Sequence, residues 1–233
     1  VNNGTGKYIV KLCNSSNCKN FNTKSNGNKY SSSINLTNID NGTYDLIINY
    51  NNLDKKIIDM LDEEEKIVRT KIGNKLVTVI YNSNNPTIKI ENFKYEYDIL
   101  IDVGHGGTDS GSSNSLMLEK NLNLTQSLYE KKRYEEHGLK VLITRDDDSN
   151  GLQMGSKNLI LIRRRAMAVG YYGVVSKIVY SNHHNNIGNK KYSGYELILT
   201  NMGTKNTYKV EYKIASEWSK AYKLRDKQDD CPS

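Results

Sequence analysis

Nowhere in its 233 residues does the chain run to the ~20 consecutive apolar residues of a membrane-spanning helix. A helical span is therefore not expected. The chain has neither an initiator Met nor a basic leader with an apolar core, so it reads as a mature or recombinant fragment. Proline is nearly missing, at two residues. Beside abundant Asn, Lys, Ile and Tyr, that scarcity reads as AT-rich coding and carries nothing about function. Acidic residues are fewer than basic ones, 26 against 33, for a net charge of +7. Such a balance invites a polyanionic partner, yet there is no helix-turn-helix, zinc-finger or aromatic RNA-binding signature, and nucleic acid is not expected. A solvated basic surface accounts for the charge equally well. Cysteine is sparse, at three residues. Cys13 and Cys18 are spaced either to close a small disulfide loop, as an extracellular setting permits, or to leave two thiols at a hairpin. A zinc site there would lack a third and a fourth ligand. Cys231 is the odd one, in a tail that reads as unstructured.

What is present divides in two. A charged fraction of 25% and a hydrophobic fraction of 36% fit a polar globular protein of one large or two small domains. Residues 1–95 read as β, with strands expected over 7–12, 33–36, 43–48, 75–81 and 87–90 and a turn at Asp40-Asn41-Gly42. The charged stretch 57–69 is open between a short helix and a loop. Short strands and frequent turns predict a β-sandwich-like accessory domain over 1–95. From residue 96 the pattern alternates, with strands over 139–144, 176–181 and 195–200 and helices over 121–137, 158–169 and 208–222. This predicts an α/β domain over 96–233, a twisted, mainly parallel or mixed sheet with helices on both faces.

Four residues in that second region, standing at three places, could carry chemistry. His105 lies where the apolar run Ile99 to Val103 breaks at glycines, Glu119 opens a helix, and His183 and His184 end a strand. Two imidazoles and one carboxylate are the donor set of an open, hydrolytic zinc site. Each also has a plainer reading taken singly, as a turn histidine or as an acid favoured by the helix macrodipole. Asp102 either orients His105 or caps a turn, and His137 reads as a solvated cation at a helix end.

Taken together, these segments resemble the zinc-dependent N-acetylmuramoyl-L-alanine amidases of the bacterial cell wall, the class called amidase type 3. The family order of Asp-x-Gly-His-Gly-Gly, Asp-x-Gly, Glu, Thr-Arg, Leu-x-x-Arg, Ser-x-His-x-Asn and Gly-x-Glu is met in turn. The matching residues are Asp102 to Gly107, Asp109 to Gly111, Glu119, Thr144-Arg145, Leu161 to Arg164, Ser181 to Asn185 and Gly194 to Glu196. The resemblance implies that His105, Glu119 and His183 hold Zn²⁺, leaving His184 substrate-side or exposed. Arg164 is expected in a structural salt bridge with its arginine neighbours solvated, and Asn185 in substrate binding or loop stiffening. The implied reaction is hydrolysis of the amide joining N-acetylmuramic acid to L-alanine of the stem peptide. The implied partners are peptidoglycan and anionic wall polymers, and the implied location is secreted or cell wall.

The chain departs from the family in one respect. A late Glu-x-Gly-Phe, which carries the family's catalytic acid, is missing, since both phenylalanines, Phe21 and Phe93, precede the second region. Three explanations stand: a domain incomplete at its C-terminal end, service by another acid, Glu196 first, or a catalytically degenerate wall-binding homologue.

Overall fold

The protein is described here by a computed structural model covering residues 8–27, 29–51, 53–56, 66–81, 86–113, 116–155, 157, 159–184, 198, 212–218 and 220. The chain divides into two compact units, Val1–His184 and Asn185–Ser233. In the second, residues 212–218 are helical, inside the helix expected over 208–222. The strand expected over 195–200, Asn185, Glu196 and Cys231 fall on residues outside those described, apart from residue 198.

The first unit begins all-β. Its strands are β1 (Tyr8–Cys13), β2 (Cys18–Asn22), β3 (Lys24–Asn26), β4 (Lys29–Ser31), β5 (Gly42–Tyr50), β6 (Leu53–Lys56), β7 (Lys66–Ile72), β8 (Lys75–Tyr81) and β9 (Thr87–Asn92). Seven of them form one antiparallel sheet in the order β2-β1-β5-β9-β8-β7, with β6 also on β5, while β3 and β4 form a separate ribbon. Cys13 and Cys18 pair across the β1–β2 hairpin and are disulfide-bonded. Asn14 Oδ1 caps the turn between them, accepting from the N–H groups of Ser16 and Asn17 at 2.9 Å each. Leu12, Ile39, Tyr44 and Ile90 are the buried centre, packed by Phe21, Ile34, Leu36, Leu46 and Ile88. Each such side chain contributes on the order of 2 kcal/mol through its loss of contact with water.

Two expectations change here. The strand expected over 33–36 gives way to a 3₁₀ turn at Leu36–Asn38, because Asn35 Oδ1 accepts from Thr37 N–H at 3.0 Å and draws the backbone out of an extended ladder. The stretch read as helix or loop over 57–69 ends in strand β7, which turns through Gly73-Asn74 into β8. Gly73 takes φ +59°, the left-handed conformation that a two-residue hairpin turn requires.

Beyond residue 96 come β10 (Tyr97–Val103), α1 (Glu119–Glu136), β11 (Val141–Ile143), α2 (Leu161–Gly173) and β12 (Ser176–Asn182). The three strands are parallel, in the order β11-β10-β12. Alternate residues of β10 serve opposite faces. Ile99, Ile101 and Val103 pack with Val141 against Leu124 and Tyr134 of α1. Gly173 of α2 lies against Val179 on the other side. Helix α1 stops at Gly138, φ +78°, where Gly138 N–H bonds Glu135 O at 2.9 Å and Leu139 N–H bonds Tyr134 O at 3.1 Å. That pair of bonds is the Schellman arrangement. The strand order reverses at β10, and the crevice beyond such a switch point is where open parallel sheets bind ligands. No helix among the described residues is long and apolar enough to cross a membrane.

Candidate metal centre

Three segments converge on that crevice. His105 follows β10, Glu119 is the first residue of α1, and His183 follows β12. One donor atom from each lies within 4.8 Å of the others, a separation at which a single ion could be held. Glu119 Oε1 is the common point, 3.2 Å from His105 Nε2 and 3.1 Å from His183 Nδ1. Two imidazole nitrogens and a carboxylate oxygen converging in this way suit a divalent transition metal.

Glu119 is only 6% exposed. A reciprocal clamp fixes it: Glu119 N–H donates to Ser112 O at 2.8 Å, and Ser112 N–H donates to Glu119 Oε2 at 2.8 Å. Lys120 N–H finds Ser110 O at 3.2 Å, so the loop supplies acceptors that the first turn of α1 otherwise lacks. Burial alone would raise the Glu119 pKa. The N–H groups of Ser112 and His184, the His183 side chain and the charge of His105 outweigh it and hold the carboxyl at about 2.

The glycines of the motif are there for want of space. A Cβ on Gly104 would lie 2.5 Å from the His183 ring, and one on Gly111 would lie 2.5 Å from the His105 ring and 2.7 Å from Glu119 Oε2. His105 itself adopts φ +60°, uncommon for a residue with a side chain.

Supporting residues were less visible in the sequence. Asp102, read as orienting His105 or capping a turn, does not reach His105. It accepts from Thr144 Oγ1 at 3.2 Å and Ser181 Oγ at 2.9 Å, tying the sheet together. The partner of His105 Nδ1 is Asp109 Oδ2, at 3.0 Å. The ion pair expected of Arg164 belongs to Arg165, whose guanidinium lies 3.6 Å from Asp109 and donates to Gly106 O and Asn150 O at 2.9 Å each. Arg145 is 4% exposed and donates to His105 O, Gly104 O, Lys120 O and Asp147 O over 2.7–3.1 Å. Its burial lowers its pKa from the ordinary guanidinium value. Asn123, fully buried one turn after Glu119, donates from Nδ2 to Gly104 O at 2.9 Å. Its Oδ1 therefore accepts at the 2.6 Å contact with His184 Nδ1, which places the His184 proton on Nδ1. The available signal was spacing. Glu119, Asn123 and Ser127 recur every four residues on α1, and all three are buried on one face.

Fold and site together define an α/β protein with a two-histidine, one-carboxylate cluster at its strand ends. The N-acetylmuramoyl-L-alanine amidase family model matches residues 99–230, more than half of the chain, and the chain belongs to that family. Membership supports amidase activity on peptidoglycan. No curated protein matches the chain.

Proposed function

We propose that the protein is a zinc-dependent amidase that cuts the bond between N-acetylmuramic acid and L-alanine of the stem peptide. The observation that carries this reading is the convergence of His105 Nε2, His183 Nδ1 and Glu119 Oε1 inside a matched amidase domain. Zinc held by those atoms would polarise the scissile carbonyl and acidify a water. The chain's own residues do the rest. Glu119, an anion at neutral pH, offsets part of the metal charge. Gly104 and Gly111 leave the space in which the ligand side chains sit. Asn123 holds His184 beside the site with its proton on Nδ1, leaving Nε2 an acceptor while the ring is neutral. Glu196, in the Gly194 to Glu196 match, is assigned to proton transfer on sequence position alone. The β region over 1–95 serves as an accessory domain that positions the enzyme on the wall, and the protein works secreted, in the cell wall, where the basic surface meets anionic polymers.

Digestion of purified peptidoglycan tests this. Release of stem peptides with a new N-terminal alanine, read by mass spectrometry, is expected with zinc and is expected to fall to background with chelator or in His105→Ala. Activity undiminished by chelation would overturn it. The missing Glu-x-Gly-Phe favours a second reading, a wall-binding homologue with a degenerate site. Zinc bound at one equivalent with no peptide released would select that one.

A further inference from the structure

We propose that Asp109, braced by Arg165, is a positioning residue for the metal centre, acting through His105. This rests on the reading of His105, Glu119 and His183 as ligands. The carboxylate of Asp109 is oriented from several sides. Its Oδ1 accepts from Gly111 N–H at 3.1 Å, its Oδ2 meets His105 Nδ1 at 3.0 Å, and Arg165 stands 3.6 Å from Oδ2. Its backbone is locked to Gly106 by bonds in both directions, 2.8 and 3.1 Å, and Arg165 grips the Gly106 carbonyl as well. Asp109 and His105 are thus held on one small loop whose geometry α2 sets.

The chemical consequence concerns which ring nitrogen is free. A carboxylate against Nδ1 keeps the His105 proton there, so Nε2, the nitrogen facing Glu119 Oε1, carries the lone pair. His183 is different, since its Nδ1 faces Glu119. An anion on the remote nitrogen also makes the imidazole a stronger donor, as in other carboxylate–histidine–metal arrangements. His105 needs such a guide, because it sits at φ +60° on a glycine turn rather than within a strand.

The test is zinc affinity of the full chain, measured by competition with a chromophoric chelator, together with the visible spectrum of the cobalt-loaded protein. Asp109→Ala is expected to weaken zinc binding roughly 10–100-fold and to shift the cobalt bands. Asp109→Asn keeps an acceptor oxygen in the same place and is expected to lose less, with the metal-free melting temperature unchanged. Affinity and cobalt spectrum equal to wild type in Asp109→Ala would overturn the proposal. If Asp109→Ala does not fold, Asp109→Asn decides, and wild-type affinity and spectrum there overturn it. His105→Ala is the control: if it binds zinc as well as wild type, the ligand assignment itself fails, and the role of Asp109 falls with it.

Discussion

At Glu119, two backbone N–H groups and two imidazoles face one buried carboxylate, and the metal-free protein must carry a pH dependence as a result. The folded pKa is held at about 2, against an ordinary value of 4.5. Between those values the unfolded chain binds the proton that the folded chain refuses. The stabilisation is therefore fully present above about pH 4.5 and is lost progressively as pH falls toward about 2. Its size is on the order of 3 kcal/mol. Urea midpoints of the chelated protein are expected to fall between neutral pH and about pH 3. Glu119→Gln is expected to be less stable at neutral pH and to remove much of that slope.

Among the elements, the glycine turn after β10 depends on Arg145, which lies beyond β11. One guanidinium bonds carbonyls of the turn, of α1 and of its own loop, geometry that a single ammonium cannot reproduce. Arg145→Lys is expected to cost about 3 kcal/mol by chemical denaturation and to weaken zinc binding, because the Gly104 carbonyl it abandons is buried and the others are only partly open to water. Thr144-Arg145 was legible as a family motif, but nothing local shows that the arginine faces inward. The parallel core was legible for the opposite reason: Ile99 to Val103 is an apolar run broken only by Asp102, and Gly138 stops α1 at φ +78°, where freedom from a Cβ is needed. The ligands were legible because each stands at the end of an element, His105 in the glycine turn after β10, Glu119 at the start of α1 and His183 just past β12. Asp109 was legible only as part of the Asp-x-Gly match and not as the partner of His105, and Arg165 was not legible at all, since its contacts exist only after α2 has docked beside the turn. In the β region, β1, β5, β8 and β9 fall where the alternation placed strands, whereas the other strands were not legible from it, and the joining of seven into one sheet depends on pairings distant in sequence. The hairpin at Gly73-Asn74 did have a local signal, obscured by the charged residues before it.

For the molecule as a whole, the long antiparallel sheet and the α/β core meet at Arg69 of β7. Its guanidinium carbon lies 3.7 Å over the ring of Tyr171 in α2, it also hydrogen-bonds the Tyr171 hydroxyl, and Glu96 is 3.9 Å away. Most of that arginine is removed from water, so the stacking is worth more than at an open surface. Arg69→Ala is expected to loosen the coupling between the two sheets, read in calorimetry as a split or broadened unfolding transition beside that of the unaltered chain. A single transition with unchanged midpoint and width would show that the contact carries no coupling. The spread of the ligands along the chain has a consequence of another kind. Glu119 and His183 are 64 residues apart, and β12 takes its place only by pairing with β10. A chain emerging from the ribosome thus has its first two donors long before the third. The three donors cannot converge until β12 has been made and paired with β10, so the cluster is completed only after synthesis has reached His183.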